Sequence, residues 1–265
     1  MVDVGGTQRL ADLTGRGGSR ADRTRRQAFH VKRCGVPIDE EAEEPMHDQA
    51  DGNVEPEISR EALAEYFGAA FPTVERFADR LRDEGELRGL IGPREVPRIW
   101  DRHILNSAAV VPFLPKTGVI ADIGSGAGLP GVVIAAMRPD ATVYLVEPME
   151  RRCAWLSEIA SDLNLANIEV KRGRAEEYHG AFECDAVTSR AVAALDKLVR
   201  LSLPLVRPGG EMIVLKGRNV AREIDPARKV LRRLKGGEPE IVDAPTIPGV
   251  ETTTAVRIVR QTGAR

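Results

Sequence analysis

The chain has 265 residues, of which 42% are hydrophobic, and a formal net charge of −2 at pH 7, which is enough for one α/β domain of roughly 200 residues with additional segments. Its three cysteines (Cys34, Cys153 and Cys184) are widely spaced and form no C-x-x-C pair, so neither a disulfide framework nor a zinc site is expected, and a reducing cytoplasm is the natural location. Because no apolar run approaches the ~18 residues that a membrane span requires, no membrane association is expected.

Residues 1–57 are predicted to be a disordered N-terminal extension. They contain 8 Lys or Arg and 12 Asp or Glu, and nine of these acidic residues lie in residues 39–57, which contain no Lys or Arg. A segment with such segregated charge and few aromatic residues does not bury enough surface to offset the entropy of ordering it. The basic part, residues 1–33, has two interpretations that stay open: a solvated tail, or non-specific contact with RNA.

Residues 58–114 are predicted to form a helical cap. Ser59 stands at the N-cap position of a first helix, and the Phe71-Pro72 step is expected to separate that helix from a second one. A further helix is predicted from about Pro97 to Val111, because proline is tolerated in the first helical turn. Four apolar residues at helical spacing share one face of it: Trp100, Ile104, Ala108 and Val111.

Residues 115–265 are predicted to form an open α/β domain, because strand and helix patterns alternate there. The predicted strands cover residues 118–123, 142–147, 167–171, 184–188, 211–216, 239–244 and 252–260. The predicted helices cover residues 129–137, 149–163, 193–206 and 219–235. The loop between the last two strands is too short for a crossover helix, so these strands cannot be parallel neighbours. The sequence therefore predicts a seven-stranded, mostly parallel sheet that closes with an antiparallel strand.

The most informative segment joins the first strand of this domain to its first helix. It covers residues 119–131 and reads VIADIGSGAGLPG, with glycines that permit a tight turn and the close approach of a ligand. Residues 126–131 match the dinucleotide pattern G-x-G-x-x-G, and Glu147 follows at the distance that this pattern requires. The compact G-x-G-x-G and the preceding Asp122 instead look like the S-adenosylmethionine (SAM) loop of class I methyltransferases. A dinucleotide, or no ligand at all, are the alternatives.

Further candidate ligand contacts stand at or just after the ends of predicted strands. The Glu147 carboxylate is placed to accept hydrogen bonds from ribose hydroxyls, unless it is only an acidic residue at a helix start. Asp122 is expected near the amine of SAM, with a structural acceptor for loop N–H groups as the alternative. Ala175 and Glu176 follow the third strand, where a segment normally borders the adenine, although a surface helix start fits equally.

Basic residues form a second group of candidates, for a phosphorylated substrate. Arg190 follows the fourth strand, and an arginine there can bind a phosphate or a base edge bidentately. Lys216 ends the fifth strand beside the same cleft. Three arginines recur at four-residue spacing in the cap and could neutralise phosphates: Arg94, Arg98 and Arg102. Glu95 and Asp101 alternate with them, so an ion-paired, solvated face is the alternative, and an isolated His103 is most often structural.

Four segments occur together in this chain and carry a family resemblance. They are residues 98–107 (RIWDRHILNS), 124–131 (GSGAGLPG), 189–191 (SRA) and 215–217 (LKG). Over about residues 60–262 the chain resembles the RsmG (GidB) family, bacterial methyltransferases that form 7-methylguanine in 16S ribosomal RNA. The resemblance implies a Rossmann-like, class I SAM-dependent methyltransferase domain with an N-terminal helical cap. Two features depart from the family: Asn106 stands where Asp is frequent, and the extension is unusually long.

The resemblance also implies a set of site residues. Those implied to contact SAM are Gly124, Leu129, Ala175, Glu176 and Arg190, and the general methyltransferase pattern adds Asp122, Gly126 and Glu147. Those expected to contact RNA are Arg94, Arg98, Arg102 and Lys216. No metal is implied, and no catalytic residue is assigned with certainty; Arg190, His103 and Lys216 are expected to position the nucleotide.

The implied chemistry needs no general base. Guanine N7 carries an exposed lone pair, so alignment of N7, methyl carbon and sulfur accounts for the acceleration. The resemblance implies an enzyme that acts on 16S rRNA of the small ribosomal subunit, and we expect it to be a cytoplasmic monomer. Two other functions stay open: an NAD(P)-dependent oxidoreductase, which the G-x-G-x-x-G match supports, and a non-catalytic SAM- or RNA-binding module that aids ribosome assembly.

Overall fold

The computed structural model describes residues 58–190 and 193–262. Its centre is a sheet of seven strands: β1 (Gly118–Ile123), β2 (Ala141–Glu147), β3 (Ile168–Arg172), β4 (Cys184–Arg190), β5 (Val206–Lys216), β6 (Glu240–Ala244) and β7 (Thr253–Val259). The order across the sheet is β3-β2-β1-β4-β5-β7-β6. Strands β1 to β5 are parallel, whereas β7 runs antiparallel to both β5 and β6. The predicted mostly parallel sheet with an antiparallel closing strand is confirmed.

Helices cover both faces of this sheet. They are α1 (Arg60–Phe67), α2 (Phe71–Glu84), α3 (Asn106–Ala108), α4 (Gly131–Met137), α5 (Glu150–Asp162), α6 (Leu195–Ser202) and α7 (Ala221–Arg233). Successive side chains of a strand point to opposite faces, so Ile120 of β1 joins the core of α2, α4 and α5 while Ala121 joins that of α6 and α7. The carboxyl ends of β1, β2 and β4 therefore meet at one edge, where open α/β sheets bind ligands.

The first two helices form as predicted. The Ser59 hydroxyl accepts a hydrogen bond from the Ala62 N–H at 3.2 Å and so caps α1. A short 3₁₀ turn (Gly68–Ala70) separates α1 from α2, and Pro72 stands in the first turn of α2. Helix α2 buries an apolar stripe, including the fully buried Phe77, in the core that it shares with α4 and α5.

The predicted regular helix from Pro97 to Val111 is wrong in its geometry. The segment consists of a 3₁₀-helix (Pro93–Arg98), a π-helix (Ile99–Leu105), α3 and another 3₁₀ turn (Val111–Phe113). Pro97 lies inside the first 3₁₀-helix, where its ring and its missing N–H oppose α-helical hydrogen bonding. Ile104 and Ala108 are buried as predicted, but Trp100 is only partly buried. The changed pitch matters for the site, because it determines which cap groups face β4.

Some expectations fall on residues that the structure does not describe. These are the predicted disorder of residues 1–57 and the residue after Arg190 in the Ser-Arg-Ala motif. Within the described ranges, no helix is long and apolar enough to cross a membrane. Cys153 and Cys184 are buried free thiols.

Candidate cofactor-binding site

The glycine-rich loop lies at the carboxyl end of β1 and is built from residues that accept unusual backbone angles. Gly126 and Gly128 have φ values of +56° and +100°, which side chains rarely tolerate. A Cβ at Gly128 would lie 2.7 Å from Val132 Cγ2 and 3.2 Å from Phe77 Cζ. The loop therefore packs directly on α2 and α4, and its backbone is exposed to a ligand only on the opposite side.

Hydrogen bonds from outside the loop hold its shape. The indole Nε1–H of Trp155, on α5, donates to the Ala127 carbonyl at 2.9 Å. Within the loop, the Ser125 carbonyl accepts from the Gly128 N–H at 2.7 Å and from the Leu129 N–H at 3.2 Å. Sequence reasoning did not single out Trp155, because nothing in its own segment indicates a contact with a loop 28 positions away.

Asp122 is completely buried at the end of β1, beneath the loop. Its Oδ2 accepts from the Gly131 N–H at 3.0 Å, whereas Oδ1 is buried with no hydrogen-bond partner among the described residues. Burial raises the pKa of this carboxyl to about 7, against the opposing effects of the Gly131 N–H and Arg190. A buried acceptor without a donor is costly, so a cationic or N–H-bearing ligand group fits this position.

Glu147 ends β2 and lies against the same loop. The residue is buried, with only 2% of its surface exposed. Its Oε2 accepts a hydrogen bond from the Gly126 N–H at 3.0 Å, and its Oε1 accepts one from the Met149 N–H at 2.9 Å. Asp122, Gly126 and Glu147 are thus brought together, as the sequence predicted. The pair of carboxylates at neighbouring strand ends provides acceptors for the hydroxyls and the amine of a nucleoside-type cofactor.

Ala175 and Glu176 lie beside the end of β2. They begin a 3₁₀ turn (Ala175–Tyr178), in which Ala175 is buried and Glu176 is exposed. The Gly173 N–H just before this turn donates to the Glu147 carbonyl at 3.2 Å. The turn is therefore within the same neighbourhood as Glu147, where the adenine was expected.

Arg190 ends β4 and connects the sheet to the cap. Its Nη1 donates to the Arg102 carbonyl at 2.9 Å and to Asn106 Oδ1 at 3.3 Å, and its Nη2 lies 2.9 Å from His103 Nδ1. Burial lowers the pKa of the guanidinium to about 10, although Asp122 and Glu95 favour its charge. Arg190 remains a cation near neutral pH, in a position set by three groups of the cap.

His103 is buried, with both ring nitrogens occupied. Nδ1 faces Arg190, and Nε2 lies 2.9 Å from Glu95 Oε2. Burial, together with Arg190, lowers the pKa of the ring. The structure thus gives His103 contacts within the protein on both sides, and it identifies Glu95, which sequence reasoning treated only as a charge neutralising the arginine stripe.

A cleft of about 670 Å³ lies next to Arg190, between the cap, the end of β5 and the β6–β7 loop. The polar residues that line it are Arg98, Asp101, Arg102, Asn106, Lys216, Arg218, Glu251, Thr252, Thr253 and Thr254. Lys216 is mostly buried there, with Nζ 2.7 Å from Glu223 and donating to the Ala193 carbonyl at 2.9 Å.

The arginine stripe of the cap is divided by the structure. Arg98 and Arg102 line the cleft, whereas the exposed Arg94 is not among its lining residues. Arg98 pairs with Asp101 at 2.8 Å, and Arg102 lies 3.6 Å from Glu95, so ion pairing and cleft lining occur together. Arg218 and the threonine run after Glu251 were missed, although three consecutive threonines near the end of the chain are a visible signal.

Sequence comparison with known proteins identifies the family of this chain. Residues 71–244 match the family model GidB, described as rRNA small subunit methyltransferase G. A "Ribosomal RNA small subunit methyltransferase G" from Beutenbergia cavernae is 49% identical over 205 residues, which cover 77% of this chain and 95% of that protein. Proteins of the same name from Thermobifida fusca and Clavibacter sepedonicus are 46% and 43% identical, covering 77% and 81% of this chain and 85% and 98% of theirs. This chain belongs to the GidB family of rRNA small subunit methyltransferases.

Proposed function

We propose that this protein transfers the methyl group of SAM to N7 of a guanine in 16S rRNA of the small ribosomal subunit. The observation that carries the proposal is the buried pair of carboxylates, Asp122 and Glu147, around the glycine loop in a chain of this family. The orphaned Oδ1 of Asp122 matches the ammonium group of SAM. When bound, SAM supplies an electrophilic methyl group on a sulfonium sulfur.

The residues at the sheet edge divide the binding of SAM among them. Glu147 accepts hydrogen bonds from the ribose hydroxyls, and Ala175 and Glu176 border the adenine. Asp122 pairs with the ammonium group and Arg190 with the carboxylate, so that the two charges of the amino-acid part meet opposite charges. At Gly124 and Gly126 the backbone could approach the cofactor closely because no Cβ intervenes, and Leu129 would contact it beside them.

The same pattern of charge disfavours the oxidoreductase alternative. A dinucleotide would bring its pyrophosphate to the glycine loop, next to the buried Asp122 carboxyl, whereas Glu147 fits the ribose of either cofactor. Like charges at short range in a poorly solvated site repel strongly. A sulfonium cofactor with an ammonium group has the opposite complementarity, and therefore fits this loop better.

The cleft beside Arg190 accepts the target nucleotide. Arg98 and Arg102 in its walls, which also contain Asp101 and Glu251, hold the phosphate while the base approaches the methyl group. Guanine N7 has a lone pair and loses no proton before attack, so the protein contributes alignment, an effect worth up to about 7–11 kcal/mol. His103 is buried and both of its ring nitrogens are hydrogen-bonded within the protein, so it is not placed to act as a base. We further propose that the enzyme is a cytoplasmic monomer.

Mass spectrometry of 16S rRNA from a strain lacking this gene tests the proposal. We expect 7-methylguanine to disappear and to return on complementation; an unchanged level would refute the assignment. Purified protein with methyl-labelled SAM should label isolated small subunits or naked 16S rRNA. SAM binding without any transfer to either would instead favour the non-catalytic assembly module.

A further inference from the structure

The hydrogen bonds of Arg190 all go to neutral acceptors. They are the Arg102 carbonyl, the Asn106 amide oxygen and His103 Nδ1; within residues 58–190 and 193–262, no carboxylate accepts from this guanidinium. A cation that is withdrawn from solvent, as the partly buried Arg190 is, is ordinarily neutralised by a direct ion pair. Here its geometry is held while its charge is left available for a ligand.

The contact with Arg190 decides the protonation state of the His103 ring. A guanidinium has only donors, so Nδ1 has to be the acceptor and carries no proton. Nε2 lies 2.9 Å from a Glu95 carboxylate oxygen, so Nε2 carries the proton and donates it. The ring is therefore neutral, with Nε2 protonated. The charged groups that face it are Glu95 from the 3₁₀-helix, Arg102 from the π-helix and Arg190 from β4.

We propose that Glu95 and His103 are positioning residues for Arg190. Glu95 holds the imidazole in the tautomer whose Nδ1 accepts from Arg190, and the ring then holds the guanidinium at the end of β4 with its charge unneutralised, ready for the carboxylate of SAM. The inference rests on the proposed function only for the identity of that ligand.

The imidazole has a specific use in this arrangement. If Glu95 bonded Arg190 directly, the two charges would cancel and the attraction for an anionic ligand group would weaken. The ring transmits the orienting effect of the carboxylate while separating it from the guanidinium. Asn106 works in the same sense: its amide oxygen accepts from Arg190 while its amide nitrogen donates to Thr253 Oγ1 at 2.9 Å. A carboxylate there could not make the second bond as a donor.

Calorimetric titration of the full chain with SAM tests the positioning role. His103→Ala should weaken SAM binding about tenfold or more, since it removes a hydrogen bond to a charged group. His103→Gln should stay within about threefold of wild type, because its amide oxygen can accept from Arg190 while its amide nitrogen donates to Glu95. His179→Ala is the matched control, since that exposed ring bonds only the Leu201 carbonyl within the described part of the chain.

A second pair of variants separates orientation from charge. Glu95→Gln retains an oxygen that can accept from Nε2–H, so SAM affinity should be largely kept. Glu95→Leu removes the acceptor and should reproduce a substantial part of the His103→Ala loss. Equal losses in Glu95→Gln and Glu95→Leu, with both chains folded by circular dichroism, would overturn the role assigned to the hydrogen bond.

Nitrogen NMR of the imidazoles reads the tautomer directly. The chain has four histidines, and the signals of His103 are those absent from His103→Gln. At neutral pH we expect an unprotonated Nδ1 and a protonated Nε2, and a protonated Nδ1 would overturn the inference. In the calorimetric titrations, wild-type SAM affinity in His103→Ala would also overturn it, as would an equal loss of SAM affinity in His103→Gln and His103→Ala. If the wild-type chain bound no SAM, the proposed function would be contradicted instead. The tautomer of the His103 ring, measured by NMR, would then still decide whether His103 holds Arg190.

Discussion

At the scale of single residues, burial changes what familiar side chains do. Asp122 and His103 were both identifiable from their segments, but their charge states depend on surroundings that the segments do not show. Asp122 is enclosed beneath the glycine loop with one oxygen lacking a donor. His103 is enclosed between Glu95 and Arg190 and is neutral for that reason. The same two residue types on an exposed surface would both be ionised more readily.

Asp122 should make the stability of the free protein depend on pH. Its pKa is raised from 3.8 to about 7 by burial. Between these values the folded chain binds a proton that the unfolded chain does not, so the free energy of unfolding falls as the pH rises and the loss is complete above about pH 7. A shift of this size corresponds to at most about 4 kcal/mol.

The Asp122→Asn variant isolates this effect. We expect its unfolding free energy to rise relative to that of wild type as the pH increases from about 5 to about 8, measured by urea denaturation. His103 acts in the opposite sense: because its pKa is lowered in the folded chain, it reduces the free energy of unfolding at pH values below its ordinary pKa of 6.5. This contribution is common to both chains and cancels in the comparison. Parallel pH profiles in the two chains would contradict the assignment. SAM affinity should fall in the variant.

At the scale of elements, the glycine loop is formed by its neighbours as much as by its own sequence. The periodic placement of glycines predicted a tight turn, and positive φ angles at Gly126 and Gly128 agree with it. The anchoring of the loop by Trp155 and its packing on Phe77 come from other helices. The loop is therefore a joint product of α2, α4 and α5.

Gly128→Ala should destabilise the protein by about 2–4 kcal/mol, since it adds a strained φ to a steric clash. The new Cβ would lie 2.7 Å from Val132 and 3.3 Å from Leu156. Gly180→Ala is the matched control, because Gly180 has a φ of +82° and, apart from its two chain neighbours, no described residue has an atom within 4 Å of its Cβ position. Only the backbone cost, about 1–2 kcal/mol, is expected there. Equal losses by urea denaturation would show that packing around the loop is loose.

Trp155→Phe should weaken SAM binding about fivefold, because the Ala127 carbonyl loses its hydrogen bond and the loop loses an anchor. The aromatic packing under Arg80 and Arg88, which lie 5.5 and 5.0 Å from the Trp155 ring, is largely kept by phenylalanine. Calorimetry with SAM measures the change. Trp100→Phe, on the cap, is the control and should bind SAM like wild type. An unchanged SAM affinity in Trp155→Phe would show that the indole hydrogen bond does not support the loop.

At the scale of the whole molecule, the cap and the sheet jointly form the site. The three acceptors on Arg190 belong to one stretch of the cap, 84 to 88 positions away in the chain. The cleft next to them adds the end of β5 and the β6–β7 loop. Cofactor geometry and substrate access therefore depend on the same contact between cap and sheet.

Arg102→Gln should separate substrate binding from cofactor binding. Its side chain lines the cleft, but only its backbone carbonyl contacts Arg190. We expect a higher KM for small subunits and a salt dependence reduced by the equivalent of about one phosphate contact. SAM affinity should stay close to that of wild type, because the 3.6 Å contact between Arg102 and Glu95 is too long to be a hydrogen bond. Arg200→Gln, in the last turn of α6, is the control and should not alter KM. A loss of SAM affinity in Arg102→Gln would place this side chain in the cofactor site instead.

Much of the fold was predictable because its signals are local. The seven strands and the helices of the α/β domain were placed within a few residues, apart from β5, which begins at Val206, five residues before its predicted start. The cap segment around Pro97 was not, because a π-helix differs from an α-helix through tertiary contacts that leave little trace in hydrophobic spacing. Trp155, Glu95 and the threonines of the cleft were missed, since their partners come from other elements.

The sequence by itself determined the succession of strands and helices along the chain and the glycine loop, because apolar periodicity and the backbone freedom of glycine act within a few positions. It also determined the family, because the four segments that carry the resemblance are read directly from the residues. Only the tertiary structure decided that His103 is a neutral acceptor and that, among residues 58–190 and 193–262, Asp122 has an oxygen without a donor and Arg190 has no carboxylate partner. These properties depend on desolvation and on hydrogen-bond partners up to 88 positions apart in the chain, which come together only when the cap packs on the sheet.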